Sequence, residues 1–331
     1  MYSFEEIVGH KEIIQGLQQG IKNNKISHSY IFDGIEGIGK KTLAYTYAKT
    51  LQCLKGAASP CNECASCKSF DSGNHPDVFF IKSEKKSLGV DEIREGIQKE
   101  IEIKPYKYKY KIFIVENADK MTIQAQNALL KTIEEPPAYG IIILISTNYK
   151  QFLPTIISRC SLIKFNLLKT EEIKHYFMKS NPSQAENIDL YIAFSEGSIG
   201  RVKKMMESEY FMDIRKKVLE WIEKAKTGDL IAIYDIEKEM ETYKEDIELI
   251  LYLMYIWYRD ILLIKHIGDN PYIINKDKIN ILLNQSLNLS YNNIDKILET
   301  INNARIQISK NANLRLSLEL MLLQIKENAN G

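Results

Sequence analysis

Residues 34–42, with the sequence GIEGIGKKT, come close to a phosphate-binding loop. The motif G-x-x-x-x-G-K-[ST] uses glycines so that backbone N–H groups can surround phosphate oxygens. It also needs a lysine for the β- and γ-phosphates and a hydroxyl for Mg²⁺. Gly34, Gly39 and Lys40 fit this pattern, but Lys41 stands where the hydroxyl belongs. Thr42 lies one residue further, about 100° around the helix. The spacing predicts a degenerate nucleotide site without its metal chemistry. Residual ATP binding through the surviving backbone donors stays an alternative.

Four cysteines with the spacing C-x7-C-x2-C-x2-C form a second candidate site: Cys53, Cys61, Cys64 and Cys67. Four thiolates around one centre suit tetrahedral zinc, and a closed four-cysteine shell leaves no open position for catalysis. We therefore predict a structural zinc module over about residues 53–70. Reduced unligated cysteines, disulfides and an iron–sulfur cluster are the alternatives. We interpret His75 as a loop residue and Cys160 as a small buried residue.

The elements that must position these residues change in kind along the chain. Apolar, β-branched runs predict five strands of a parallel sheet, at residues 29–32, 77–81, 111–115, 141–145 and 162–165. After about residue 166 the pattern is helical, with turn signals at 227–229, 268–271 and 284–288. The fold class is α/β followed by all-α. We expect an α/β domain over residues 1–166, a small helical domain over 167–209 and a larger helical domain over 210–331.

Composition limits the classes of function. The 331 residues carry a net charge of +1, with 45% hydrophobic and 26% charged residues, which is typical of a globular protein. A near-zero net charge argues against a dedicated nucleic-acid-binding surface. Residues 1–6 lack the basic and apolar regions of a signal peptide, and no apolar run is long enough to span a bilayer. Together with the clustered cysteines, this predicts the reducing cytoplasm.

Several segments in combination resemble one family. These are NALLKTIEEPP at 127–137, PTIISRC at 154–160, HSYIFDG at 28–34, HPD at 75–77 and VDEIR at 90–94, together with the four cysteines. The chain resembles the clamp-loader branch of the AAA+ ATPases, and within it the delta-prime subunits of bacterial DNA polymerase III. The resemblance covers residues 4–165, and the helical remainder agrees only in class. It implies an AAA+ core with a zinc-binding insertion, a small helical lid domain and a C-terminal helical collar domain.

The resemblance also marks four positions where an active ATPase would differ. Lys41 replaces the hydroxyl, and Glu116 and Asn117 replace the paired Asp and Glu that hold Mg²⁺ and activate water. An amide cannot accept a proton from water at neutral pH. Gly200 stands where the second sensor arginine belongs, and Arg201 is displaced by one residue. We interpret Arg201 as a surface residue and expect no intrinsic ATPase activity.

In contrast, the Ser-Arg-Cys motif at 158–160 is intact. The resemblance implies that Arg159 reaches the ATP of a neighbouring subunit, where a planar, permanently charged group can stabilise charge on the γ-phosphate. The alternative is that Arg159 forms an ordinary ion pair within its own chain.

The leading hypothesis is a non-hydrolysing clamp-loader subunit that acts during DNA replication. Its implied partners are a motor subunit and a delta subunit in a hetero-pentameric ring, with the sliding clamp and primed DNA reached through the complex. One alternative is an active motor subunit that uses Lys40, Thr42 and Glu116. Another is a zinc-organised DNA-binding module. The segment 104–111, KPYKYKYK, has the alternation of a base-stacking surface, but we interpret it as an exposed loop with solvated lysines.

Overall fold

A computed structural model describes residues 2–82, 87–180, 187–207 and 209–329. The chain divides into two compact units, Met1–Lys203 and Lys204–Gly331. The first unit contains a sheet with helices, and the second is helical in its described residues. In the described part of the chain, no helix is long and apolar enough to cross a membrane.

Five parallel strands form the centre of the first unit, as predicted. They are β1 Ser29–Asp33, β2 Val78–Ile81, β3 Lys111–Val115, β4 Gly140–Ser146 and β5 Ser161–Lys164. Their order across the sheet is β2-β3-β4-β1-β5, with Phe32 of β1 opposite Ile145 of β4. Every residue of β3 and β4 is buried, which explains their continuous apolar sequences. β5 is an edge strand with two exposed residues.

Ten helices begin in the described residues of the first unit. They are α1 Lys11–Lys22, α2 Lys40–Leu51, α3 Ala65–Asp71, α4 Val90–Ile93, α5 Lys99–Ile101, α6 Ile123–Glu134, α7 Pro154–Ile157, α8 Thr170–Ser180, α9 Ile188–Phe194 and α10 Ile199–Met206. A π-helical turn, Arg94–Gln98, joins α4 to α5. Short 3₁₀ turns lie at Phe4–Glu6, Ala118–Lys120 and Tyr149–Gln151. Helix α6 packs Ala125, Leu129 and Ile133 into the core beside Phe113 of β3.

The second unit contains six helices in its described residues. They are α11 Tyr210–Thr227, α12 Leu230–Thr242, α13 Ile247–Ile267, α14 Ile279–Asn288, α15 Tyr291–Ser309 and α16 Leu314–Ala329, with 3₁₀ turns at Lys244–Asp246 and Lys276–Lys278. One face of α13 is apolar and buried, from Ile250 through Trp257 to Ile264. The turns predicted at 227–229 and 268–271 are confirmed, since α11 ends at Thr227 and α13 ends at Ile267.

The turn predicted at 284–288 is wrong. Those residues form the last turns of α14, which ends at Asn288. The reason is tertiary packing. Gln285 is buried, and its side-chain oxygen accepts a hydrogen bond from Trp257 Nε1 at 2.9 Å. A buried partner of this kind outweighs the weak helix propensity of asparagine and serine.

Candidate functional site

The predicted nucleotide loop lies between β1 and α2, which is the context that a phosphate-binding loop requires. Gly37 and Gly39 adopt left-handed backbone angles, with φ of 75° and 108°. Lys40 is buried, and its ammonium group donates to the loop carbonyls of Gly34 and of Ile35, the latter at 2.7 Å. Burial lowers the pKa of Lys40, although Asp33 and Asp119 oppose this shift. The carbonyl groups of the loop therefore bind the ammonium group of Lys40, a residue of the same motif.

Two of the four substituted positions contact each other. Lys41 Nζ lies 2.8 Å from Glu116 Oε1, although the two residues are 75 positions apart. The Tyr45 hydroxyl donates to the same carboxylate at 2.6 Å. Burial, and then this hydrogen bond, raise the pKa of Tyr45. The ammonium group of Lys41 thus lies beside the carboxylate of Glu116, at the position where an active relative would hold its metal ion.

Other polar residues at the carboxyl edge of the sheet are engaged in structural hydrogen bonds. Asn117 is exposed and left-handed, with φ of 51°. The buried Asp119 accepts from the Thr147 hydroxyl at 2.6 Å. Asp33 accepts from the backbone N–H of Tyr149 at 2.7 Å and from Ser146 Oγ at 3.2 Å. Sequence reasoning missed Asp33 and Asp119, although the position of Asp33 at the end of a buried strand was a usable signal.

The start of α10 and the serine before it contact the nucleotide loop directly. Ser198 Oγ donates to the carbonyl of Glu36, and the Gly200 N–H donates to the carbonyl of Gly37, both at 2.8 Å. A Cβ atom on Gly200 would lie 2.6 Å from Gly37 Cα, so the two backbones touch. Arg201 is 42% exposed and forms an ion pair with Glu196. This confirms its interpretation as a surface residue.

Arg159 follows α7 and lies at the surface, with 40% of its side chain exposed. Its Nη2 is 3.0 Å from Glu134 Oε1, and its Nη1 donates to the Thr155 carbonyl at 3.0 Å. The in-chain ion pair foreseen as the alternative is therefore present. Pairs between exposed side chains contribute about 0.2–1 kcal/mol. Arg159 can leave Glu134 at little cost in free energy.

The four cysteines predicted as metal ligands come together. Their sulfur atoms lie within 4.8 Å of one another, and Cys61 Sγ is 3.9 Å from Cys67 Sγ. A tetrahedral zinc ion bonded at about 2.3 Å to each sulfur would separate the sulfurs by about 3.8 Å, so these residues fit the metal. All five cysteines are free, which contradicts the disulfide alternative.

Backbone N–H groups donate hydrogen bonds to the sulfur atoms of the cysteine cluster. Three N–H groups of the cluster donate to sulfur, with Cys61 N 3.4 Å from Cys53 Sγ and Cys64 N 3.4 Å from Cys61 Sγ. Hydrogen bonds from the N–H groups of Glu63 and Cys64 lower the pKa of Cys61 to about 6. Such donors favour the thiolate, which is the form that binds metal. The cluster could therefore hold a metal ion such as zinc.

His75 and Cys160 lie outside this cluster. Burial lowers the pKa of His75 to about 4. The Nδ1 atom of this neutral ring accepts from the Asp77 N–H at 3.2 Å, and its Nε2 lies 3.1 Å from Ser66 Oγ. His75 thus joins the start of β2 to α3, the helix that carries Cys67. Cys160 is half-buried against the core of the sheet, and burial raises its pKa to about 12.

Two protein-family models match this chain. The family model described as "DNA polymerase III, delta subunit" matches residues 9–169. A second model, "DNA polymerase III, delta subunit, C terminal", matches residues 209–327. The two models together span most of the chain.

Individual proteins are also similar to this chain. DNA polymerase III subunit delta′ of Bacillus subtilis is 28% identical over 318 residues, which are 95% of each chain. The tau subunit of the same organism is 39% identical over 171 residues, 51% of this chain and 30% of that protein. Among solved structures, a DNA polymerase III gamma subunit-related protein from Thermotoga maritima is 19% identical. Its TM-score is 0.48, over 96% of this chain and 99% of that chain.

The two family models and the delta′ subunit of Bacillus subtilis confirm the resemblance to DNA polymerase III delta-prime subunits that was found in the sequence. This similarity does not by itself assign a role to Arg159 or to the nucleotide loop. Those roles and the domain boundaries at residues 166 and 209 stay predictions.

Proposed function

We propose that this chain is a subunit of the DNA polymerase III clamp loader that does not hydrolyse ATP itself. The observation that carries the proposal is the 2.8 Å ion pair between Lys41 and Glu116. A positive charge at this point repels a divalent cation, and it occupies the carboxylate that would otherwise help to hold one. With Asn117 in place of a general base, the pocket has no group to activate water.

The contacts around the nucleotide loop support the same proposal. Lys40 is bound to loop carbonyls, and the segment containing Ser198 and Gly200 holds the loop from the other side. Nucleotide binding in the loop of this chain would require these hydrogen bonds to break. In this proposal the chain assists ATP hydrolysis by another subunit and does not hydrolyse ATP itself.

In this proposal Arg159 is the catalytic residue, acting on the ATP bound by a neighbouring motor subunit. Its side chain is 40% exposed and is held by a surface ion pair, so its guanidinium is free to exchange Glu134 for a γ-phosphate. An arginine finger contributes about 10³–10⁵ in rate where it has been measured. The remaining roles follow from the family. Residues 210–331 are the collar that joins motor and delta subunits in a five-membered ring. The ring opens the sliding clamp and loads it onto primed DNA.

The decisive experiment compares two matched arginines in the reconstituted complex with motor and delta subunits. Arg159→Ala should lower the DNA-stimulated ATPase rate, whereas Arg201→Ala should leave it unchanged. Arg201 is a suitable control because its exposure of 42% and its single glutamate partner resemble those of Arg159. Arg159→Lys should also be slow, since lysine keeps the charge but loses the planar fork. A wild-type rate for Arg159→Ala would remove the proposed role.

The chain alone provides the second test. Purified protein should neither hydrolyse ATP nor bind a fluorescent ATP analogue with Mg²⁺. Hydrolysis that depends on Mg²⁺ and is abolished by Lys40→Ala would establish the alternative, an active motor subunit, in its place.

A further inference from the structure

The loop formed by residues 104–110, here called the Lys/Tyr loop, has a backbone that is held in place by hydrogen bonds. It connects α5 to β3. The buried carboxylate of Asp77 accepts three consecutive backbone N–H groups of the loop, from Tyr106 at 2.5 Å and from Lys107 and Tyr108 at 3.0 Å each. A buried anion that binds three successive amides fixes the backbone around it. The loop is therefore more ordered than its polar sequence suggests.

Two further contacts fix the end of the loop. Gln52, which follows α2, donates to the Tyr110 carbonyl at 2.5 Å and accepts from the Tyr110 N–H at 3.3 Å. The His75 ring lies 4.5 Å from the Tyr108 ring at an angle of 35°. His75 in turn contacts Ser66, the neighbour of Cys67. The cysteine module and the Lys/Tyr loop are thus connected through His75.

The side chains that this backbone presents are basic and aromatic. Tyr106 is 86% exposed, the highest value among the large apolar and aromatic side chains that the structure describes. Lys104, Lys107 and Lys109 are exposed, and within the described residues none of the three forms an ion pair. Lys107 and Lys109 lie over neighbouring tyrosine rings, with Nζ at 5.9 and 4.9 Å from the centroids.

Nearby acidic groups leave this positive charge largely uncompensated. Glu100 is paired with Lys111 at 2.9 Å, and the carboxylate of Asp77 is saturated by the loop amides. Glu102 is the remaining exposed acid in the preceding turn. A solvent-facing tyrosine on a fixed backbone, among unpaired lysines, suits a ligand with both flat apolar faces and regularly spaced negative charges.

We propose that the Lys/Tyr loop binds single-stranded nucleic acid. A base stacks on Tyr106, while Lys104, Lys107 and Lys109 neutralise phosphates. The fixed backbone reduces the entropy lost on binding. This site goes beyond the proposed clamp-loader function and does not depend on Arg159 or on the nucleotide loop.

The test measures binding of fluorescein-labelled oligo(dT) and oligo(U) to the full chain by anisotropy, over a series of salt concentrations. We expect a dissociation constant of about 1–100 µM at low salt. Three lysine–phosphate contacts predict a slope of log K against log salt of about −2. The oligo(dT) and oligo(U) arms distinguish DNA from RNA as the ligand, and binding of either supports the proposal.

Three variants separate stacking from charge. Tyr106→Ala should weaken binding by about five- to a hundredfold, whereas Tyr106→Phe, which keeps the ring, should bind like the wild type. Lys107→Gln/Lys109→Gln should bring the salt slope to about −0.7. The control Lys22→Gln/Lys25→Gln removes the same charge from exposed positions of the same unit and should have no effect.

Each alternative outcome would overturn the proposal. These outcomes are no binding below about 1 mM, equal effects of the two double-lysine variants, or unchanged affinity of Tyr106→Ala. A circular dichroism spectrum for each variant shows that the fold is retained, so a loss of binding reports on the loop.

Discussion

The buried ion pair between Lys49 and Asp71 provides a sharp test of how the cysteine module is attached. Lys49 lies on α2 and its side chain is 0% exposed, whereas Asp71, the last residue of α3, is 24% exposed. Lys49 Nζ is 2.7 Å from both carboxylate oxygens. Among the residues that the structure describes, the other hydrogen-bond acceptor of this ammonium group is the Tyr2 carbonyl at 3.5 Å, which is a marginal hydrogen bond.

The unequal burial predicts unequal effects on the free energy of unfolding. Asp71→Ala leaves a fully buried ammonium without a partner, which should lower that free energy by about 3–5 kcal/mol. Lys49→Met keeps the packing of the stem and leaves a carboxylate that water can reach, so it should cost about 1–2 kcal/mol. The double variant should be more stable than Asp71→Ala alone, because it removes the unpaired charge.

The assay is urea unfolding of the zinc-loaded chain followed by far-UV circular dichroism. Both tryptophans, Trp221 and Trp257, lie in the second unit, so their fluorescence follows that unit separately. Glu63→Ala is the control, because the Lys55–Glu63 pair is 56% and 69% exposed and its loss should cost less than about 1 kcal/mol. If Lys49→Met proves as destabilising as Asp71→Ala, the argument from burial is wrong.

Three further predictions use other parts of the molecule. Cys64→Ser should reduce bound zinc from one equivalent per chain, measured by release to a chromogenic chelator; full zinc content in the variant would contradict the four-cysteine site. Burial raises the pKa of Glu237, so the folded state favours the neutral carboxyl group. The stability of the second unit therefore falls as the pH rises through this raised pKa. Glu237→Gln should therefore be more stable than wild type at pH 7.5 but equal to it below pH about 4.5, by tryptophan fluorescence, and a pH-independent difference would contradict this. Gly200→Ala should speed hydrogen exchange at residues 197–202, because its Cβ would lie 2.6 Å from Gly37 Cα. Gly16→Ala has open space and should not, and equal exchange in both variants would argue against the contact.

Much of the fold was predictable because the strands of a sheet covered on both faces are continuous apolar runs. The predicted and observed bounds of β3 agree at 111–115, and those of β4 differ by one residue at each end. The π-helical turn Arg94–Gln98 was not predicted. Its i→i+5 hydrogen bonding widens the helix, so Ile93, Ile97 and Ile101, spaced four apart, all remain buried. Local sequence contains no comparable signal for such a turn.

The candidate site was predictable only where its residues are close in sequence. The cysteine cluster and the loop containing Lys40 follow from spacing. The pairing of Lys41 with Glu116 depends on the order of the strands, because β4 separates the strands that precede them. The contact of Ser198 with Glu36 spans 162 residues and depends on how a helical segment returns to the sheet. Neither contact has a periodic signature in the sequence.

Helix α2 and the loop before it give the phosphate-loop residues a structural role that does not depend on a nucleotide. The helix begins at Lys40, ends at Leu51 just before Cys53, and is buried along most of its length. Lys40 ties the preceding loop to itself through two carbonyls. These contacts stabilise the fold without a nucleotide, so the presence of the glycines and the lysine is not by itself evidence of ATP hydrolysis. The residue after the lysine, Lys41, is the position that bears on metal binding, because it pairs with Glu116.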